Sequence, residues 1–373
     1  MFKRQLTGQL QNSLNSGKII LLIGPRQVGK TTLIKEILKE MDYLFVNGDD
    51  PIARNLLSNA NTETIRNLIG SRKILFIDEA QRIENIGLTL KIIHDQFPEI
   101  VVVVSGSSAF ELNNLAAESL TGRKNTNHLY PISWKELEES DGFLTAVQQT
   151  DMRLIFGMYP EVMNKPGEER NILTELYESY LFKDILSYSG IRKPEVLQKI
   201  LKALAFQMGS EVSLNEIAQL VGVDKNTVNS YITLLEQAYV IFPLTSFSRN
   251  LRNEIKTNVK YCFFDNGIRN AVLQNFSPIY DRQDRGALWE NYLISERFKQ
   301  NDYQRNYRKM YFWRTVSQQE IYLIEEVDGK IIAHEFKWKE KSSYKTPKAF
   351  LDSYMVEAKQ IHKENFYDFI KGN

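Results

Sequence analysis

Four short apolar runs, Ile19–Ile23, Tyr43–Val46, Ile74–Ile77 and Ile100–Val104, punctuate the first part of the chain. Each has strand length and no charged position inside it, the pattern of a strand buried on both faces. Between them, Lys30–Glu40, a stretch within Pro51–Ile69, and Leu88–Phe97 place apolar residues at helical spacing. Strands alternating with helices predict a parallel sheet covered on both sides. A further strand, Thr126–Tyr130, ends at Pro131. From Ser133 the pattern turns helical, through Tyr177–Leu186 and Pro194–Gln207, with turns at Gly157-Met158-Tyr159-Pro160 and Pro166-Gly167. Residues from Leu197 to Ile268 read as a winged helix. After Gly286 come one long helix, Leu288–Lys299, and several strands separated by Asp328-Gly329. The expected division is a core at 1–132, a helical lid at 133–192, a winged helix at 193–280 and a small α/β module at 281–373.

Composition narrows this little. The chain has 373 residues, enough for two or three domains, and a formal net charge of +1. No global field therefore recruits nucleic acid or membrane, and such a partner must be held by a local patch. The single cysteine, Cys262, excludes an intramolecular disulfide framework, and its neighbours Tyr261, Phe263 and Phe264 place it in a buried strand. No apolar run approaches the roughly 18–20 residues that cross a bilayer. Polar residues from Gln5 to Ser16 follow Lys3 and Arg4 where a signal peptide needs an apolar stretch. A cytoplasmic location without membrane contact is expected.

The chemistry begins at the end of the first strand. Gly24-Pro25-Arg26-Gln27-Val28-Gly29-Lys30-Thr31 fits G-x-x-x-x-G-K-[ST] without a mismatch, between a strand and a helix. Gly24 and Gly29 allow the backbone to curl so that successive N–H groups face phosphate oxygens. The helix beginning near Lys30 adds its positive end. Lys30 is expected on the β- and γ-phosphates of ATP, and the Thr31 hydroxyl on Mg²⁺, with Thr32 closing the cradle. The third run ends in Asp78-Glu79, which a buried parallel strand delivers to its carboxyl edge, where ligands gather. Asp78 is the second expected Mg²⁺ holder, and Glu79 the group that orients or deprotonates an attacking water. A strand ending in an ordinary charged turn is the plainer alternative. The fourth run ends in Ser105-Gly106-Ser107-Ser108, where Ser107, or Ser105, is placed to sense the γ-phosphate or simply belongs to a polar loop. Arg123, in Leu120-Thr121-Gly122-Arg123, is either an arginine finger or a solvated arginine.

Together Gly24–Thr32, Phe76-Ile77-Asp78-Glu79-Ala80-Gln81, Ser105–Ser108, Leu120–Arg123 and Tyr130-Pro131-Ile132-Ser133 resemble the prokaryotic AAA-type P-loop ATPases of the Asp-Glu-Ala-Gln group. Gly157–Pro160 and Tyr180–Asp184 are similar to them too. The resemblance covers essentially the whole chain. It implies an α/β fold class: an AAA-type P-loop NTPase parallel sheet with a helical lid, then a winged helix and a restriction-endonuclease-like module. It also implies a role for Arg123 beyond surface charge, in its own chain or on a neighbour in an oligomer. It does not supply a partner.

Two further sites were weighed. Ser213 with Glu216 forms a capping box, Gly222 a turn and Asp224 the next N-cap, so Ser213–Tyr239 reads as helix-turn-helix. Lys225, Asn226, Thr227, Asn229 and Ser230, with a local net charge of +3 over Arg249, Arg252, Glu254, Lys256 and Lys260, suit DNA contacts, though winged helices also serve as packing modules. In the last module Glu335-Phe336-Lys337 matches half of a nuclease site, with Glu290 as a helix-borne acid. Tyr322 stands where an aspartate is expected, and it is a poor Mg²⁺ ligand, so only Glu320 or Glu325 remains to substitute. Three readings follow: an ATPase acting as a nucleotide-driven switch on an unknown partner, an ATP-sensing DNA-binding regulator, and an ATP-dependent nuclease. The missing aspartate weighs against the third.

Overall fold

The computed structural model describes residues 2–107, 120–179, 193–248 and 258–372. The chain divides into two compact units, residues 1–132 with Gln237–Tyr239, and residues 133–236 with 240–373.

The first unit begins with α1 (Thr7–Ser13) and β1 (Ile19–Ile23), then α2 (Lys30–Leu38), β2 (Leu44–Asn47), α3 (Pro51–Leu57) and α4 (Thr62–Ile69). It continues with β3 (Ile74–Asp78), α5 (Ile86–Gln96), β4 (Val101–Gly106) and β5 (Lys124–His128). The five strands are parallel in the order β2-β3-β4-β1-β5. Every residue of β1 is buried, as its unbroken Ile-Ile-Leu-Leu-Ile run requires. Helix starts follow local chemistry: the Asp50 side chain accepts from Ile52 N ahead of Pro51, and Asn61 caps α4 through Thr64 N. Because all strands point one way, the loop after β1 and the ends of β3 and β4 share one edge.

The second unit opens with α6 (Trp134–Asp141), whose capping box joins Ser133 and Glu136 in both directions, then α7 (Phe143–Gln148) and α8 (Thr150–Phe156). Next come α9 (Pro160–Asn164), α10 (Glu169–Ser179), α11 (Pro194–Phe206), α12 (Leu214–Val221) and α13 (Lys225–Gln237). β6 (Ile241–Ser246), β7 (Val259–Phe263), α14 (Asn266–Val272) and the twenty-residue α15 (Arg285–Gln304) lead to β8 (Lys309–Arg314), β9 (Glu320–Val327) and β10 (Lys330–Phe336). The unit closes with α16 (Lys348–Tyr354), β11 (Ala358–Ile361) and α17 (Phe366–Lys371). The Gly157–Pro160 turn is held by buried Asp265, which accepts from Met158 N at 2.7 Å and also caps α14.

Two capped helices joined by a glycine turn occupy the stretch expected to form a helix-turn-helix. Gly222 ends α12 at φ 77°, Ser213 accepts from Glu216 N, and Asp224 caps α13 through Thr227 N at 2.9 Å. The antiparallel β6–β7 pair follows it. The sheet is continuous across the boundary expected near residue 280. β6 also pairs in parallel with β8, through Thr245 with Tyr311 and Ser246 with Phe312. One six-stranded sheet, β11-β10-β9-β8-β6-β7, therefore runs through both expected modules, and residues 133–236 with 240–373 form one unit. The cause lies in β8, Lys-Met-Tyr-Phe-Trp-Arg, whose central residues are buried and which takes the free edge of β6. A hydrophobic cluster of Phe247, Tyr311, Trp313, Ile321, Ile324, Ala333 and Phe350 fixes the join.

Candidate functional site

The glycine loop leaves the carboxyl end of β1. Gly24 is essential by packing: a Cβ there would meet the Leu129 carbonyl oxygen at 2.0 Å. Gly29 caps α2 in the left-handed region at φ 92°, which glycine adopts at no steric cost. Gly24, Pro25 and Val28 are buried, Arg26, Gly29 and Thr31 half-buried, and Gln27 and Thr32 exposed, so the loop is anchored from below and open above. Part of the anchor is Arg4. Its guanidinium, 6% exposed, donates to Val28 O at 2.7 Å and to Tyr130 O at 2.6 Å. Nothing in the sequence marks Arg4 out from its neighbour Lys3, since its partners lie 24 and 126 residues away.

Lys30 is buried, and its ammonium donates to Gly24 O at 2.9 Å and Pro25 O at 2.7 Å. Burial lowers its pKa to about 8, against the pull of the nearby Glu79 and Asp78 carboxylates. The Thr31 hydroxyl donates to Asp78 Oδ2 at 2.7 Å. The two residues expected on Mg²⁺ are thus in contact, although β4 lies between β3, which ends in Asp78, and β1, which leads into the loop ahead of Thr31. Ser105, on that strand, donates to the other oxygen of Asp78. Glu79 follows in the left-handed region at φ 48°, which turns its side chain out of the strand's alternation. Gln81 then ties two candidates together: its amide donates to Glu79 Oε2 at 2.5 Å and to Ser107 Oγ at 3.1 Å. Ser105 and Ser107 accordingly have different partners, the first on Asp78 and the second on the Gln81 link. Gln81 was visible in the Asp-Glu-Ala-Gln run but carried no assigned part.

Arg123 stands apart from these residues. Its side chain makes a forked pair with Asp95, at 2.8 and 3.2 Å, and its carbonyl accepts from Ile19 N at the start of β1. The glycine loop begins only after Ile23, so Arg123 stands at the opposite edge of the sheet, about 16 Å of strand away. It does not reach a phosphate held by its own chain.

The second unit's candidates separate into two groups. Glu290, Glu320, Tyr322 and Lys337 line one open cavity of about 430 Å³ together with Trp289, Phe336 and Trp338. Glu335, buried beside them, pairs with Lys337 at 2.6 Å. Glu325, weighed as a substitute acid, is elsewhere: it accepts both bonds of the Arg297 fork at 2.8 Å, another from Asn301 at 2.9 Å, and faces His334 at 3.2 Å. Those bonds outweigh its burial and hold its carboxyl well below the usual range. Lys225 and Asn226 are exposed at the start of α13. Arg249 and Arg252 lie outside the described residues, as do Ser108 and Tyr180–Asp184.

A glycine loop with a lysine and a threonine on a helix start, faced by an acid from the second strand over, in a parallel sheet of this order, defines a P-loop NTPase of the AAA class. The comparisons agree. Residues 16–138 match the family model of an AAA domain, residues 147–278 a domain of unknown function, DUF8612, and residues 285–367 another, DUF4143. The chain thus carries an AAA domain with a P-loop NTPase fold and, at its C-terminal end, a DUF4143 domain. Uncharacterized proteins of Mycobacterium tuberculosis and Mycobacterium bovis are each 25% identical over 343 residues, 90% of this chain and 74% of theirs. One from Haemophilus influenzae is 27% identical over 213 residues, 54% of this chain and 53% of its own. Among solved structures, the Walker-type ATPase of Pyrococcus abyssi superposes with a TM-score of 0.52 at 15% identity, over 73% of this chain and 96% of that one. Among the described residues, no helix is long and apolar enough to cross a membrane.

Proposed function

We propose that the chain is a Mg²⁺-dependent ATPase that works as a nucleotide-driven switch on a partner. The observation that carries the reading is the Thr31–Asp78 contact, 2.7 Å between two hard oxygen donors at the mouth of the loop. Hydroxyl and carboxylate oxygens are the ligand types Mg²⁺ takes, and a glycine loop with Gly24, Pro25 and Val28 buried and Gln27 and Thr32 exposed suits a phosphate chain. When bound, the metal neutralises charge on the phosphate oxygens. Gly24 to Thr32 hold the phosphates, Lys30 provides the positive charge within the loop, and Asp78 with Thr31 seats the metal. Glu79 orients the attacking water and takes its proton. Gln81 keeps the Glu79 carboxylate in register with Ser107, the residue nearest in role to a γ-phosphate sensor. Arg123 acts on the site of a neighbouring copy.

Turnover tests this directly. Lys30→Ala abolishes nucleotide binding, whereas Glu79→Gln retains Mg-ATP and loses hydrolysis. Full turnover by Glu79→Gln would overturn the assignment. A second reading rests on the capped helix-turn-helix with exposed Lys225 and Asn226: an ATP-sensing regulator that binds DNA through α13. It requires DNA affinity that falls with salt and weakens in Lys225→Glu, and affinity unaffected by that change would discard it.

A further inference from the structure

The αβ segment from α15 to β11 carries the outline of a metal-dependent nuclease site, yet its residues do not fit a divalent cation. Lys260, on β7, is 1% exposed, and its ammonium lies between the two acids best placed to seat a metal. It is 3.3 Å from Glu290 Oε1 and 2.5 Å from Glu320 Oε1. The same ammonium lies 5.1 Å from the Phe312 ring centre and 5.6 Å from that of Tyr322. Tyr322 holds the position of the expected aspartate, and its ring also receives the Lys337 ammonium, at 5.3 Å. The third acid, Glu335, is 5% exposed, with Oε1 on Lys337 and Oε2 buried without a hydrogen-bond partner.

Each exchange runs the same way. A metal ligand is replaced by an aromatic face that attracts ammonium groups, and the cation those acids need is supplied by a side chain. Burial pulls the Lys260 pKa down, but Glu290 and Glu320 outweigh it and keep the ammonium charged. Two carboxylates closing on one buried cation satisfy each other without an ion from solvent, whereas a divalent cation at this point would meet a fixed positive charge.

We infer that Lys260 occupies the cation position of the C-terminal cleft, so that this cleft is a metal-independent site whose divalent-cation affinity is suppressed by the chain's own lysine. The cavity above it, walled by Trp289, Tyr322, Phe336 and Trp338, remains open to a ligand that needs no metal bridge.

Terbium(III), a hard oxygen-seeking probe of divalent sites, tests this without any activity assay. It is titrated without nucleotide into chains carrying Asp78→Asn, and emission excited through Trp289 is read. The parent shows no saturable emission, Lys260→Met gains it by at least tenfold, and adding Glu290→Gln removes the gain. Should Lys260→Met not fold, Lys260→Gln retains a hydrogen-bond donor at the same place and makes the same comparison. Saturable emission in the parent that disappears with Glu290→Gln alone would overturn the inference, as would no gain in a folded Lys260 variant.

Discussion

Raising the pH from 7 to 9 should weaken ATP binding about tenfold through one residue, Lys30. Its ammonium is buried among the loop's own carbonyls, and burial brings its pKa down to about 8. If the charged form is the one that holds phosphate, affinity follows the ammonium fraction: nearly complete at pH 7, half at pH 8 and about one tenth at pH 9. A tenfold change is about 1.4 kcal/mol. The phosphates themselves stay ionised across this range, so the slope belongs to the protein. Fluorescence anisotropy of a labelled ATP at fixed Mg²⁺ and ionic strength, from pH 6.5 to 9.5, should show log affinity falling with slope −1 above pH 8. Lys30→Arg, which stays charged, should bind less well but lose the slope. Fold stability moves in the opposite sense. A lysine whose folded pKa lies below its unfolded value destabilises the protein when charged, and that cost fades as pH rises from 8 toward 10.5. Lys30→Met should therefore exceed the wild type by up to about 3 kcal/mol at pH 7, with the gap closing by pH 10.5. Affinity that stays flat to pH 9.5 would refute the reasoning.

Asp78→Asn removes the acceptor of the Thr31 hydroxyl bond and should raise the Mg²⁺ concentration for half-maximal turnover about 10–100-fold, read from metal titrations of hydrolysis. Gly24→Ala drives a methyl into the Leu129 carbonyl, so thermal unfolding should show a loss above about 1 kcal/mol together with lost ATP binding. Glu325→Ala strands the buried Arg297 and should cost about 3–5 kcal/mol in urea unfolding at pH 7. Because the Glu325 carboxyl is held well below its ordinary value, its contribution is complete above the unfolded pKa near 4.5 and declines as pH falls below it.

Much of the first unit was legible because its signals are local. β1 needs only five consecutive apolar residues, and the loop motif needs eight positions in a row. Thr31 and Asp78, 47 residues apart, were matched because a strand end and a helix start have fixed places in a parallel sheet. Arg123 stayed open between two readings for the complementary reason. Its sequence position, just ahead of β5, says nothing about which end of the strand faces the ligand until the strand order is known. Arg4 failed because its acceptors are backbone carbonyls, which any residue type supplies.

The second unit shows where local reading breaks down. Glu335-Phe336-Lys337 is a two-residue spacing on one strand, and alternation places both side chains on one face, so the pair was visible. Lys260 lies 60 residues before Glu320, in what read as the wing of a separate module, where a basic residue counts toward a DNA-binding charge. Only the β6–β8 pairing, which fuses the two modules into one sheet, carries β7 and its lysine beneath α15. The same residue then changes meaning. A lysine on an exposed wing would add to a surface field that salt screens. A lysine at 1% exposure pairs with two carboxylates in a low-dielectric interior, where leaving the acids unpaired costs several kcal/mol. The charge tally that favoured DNA along this segment therefore loses one of its four cations, while the acids that favoured a nuclease lose their capacity for a metal. The nuclease reading of the second unit turns on where this one side chain lies, and the strand pairing carries it there.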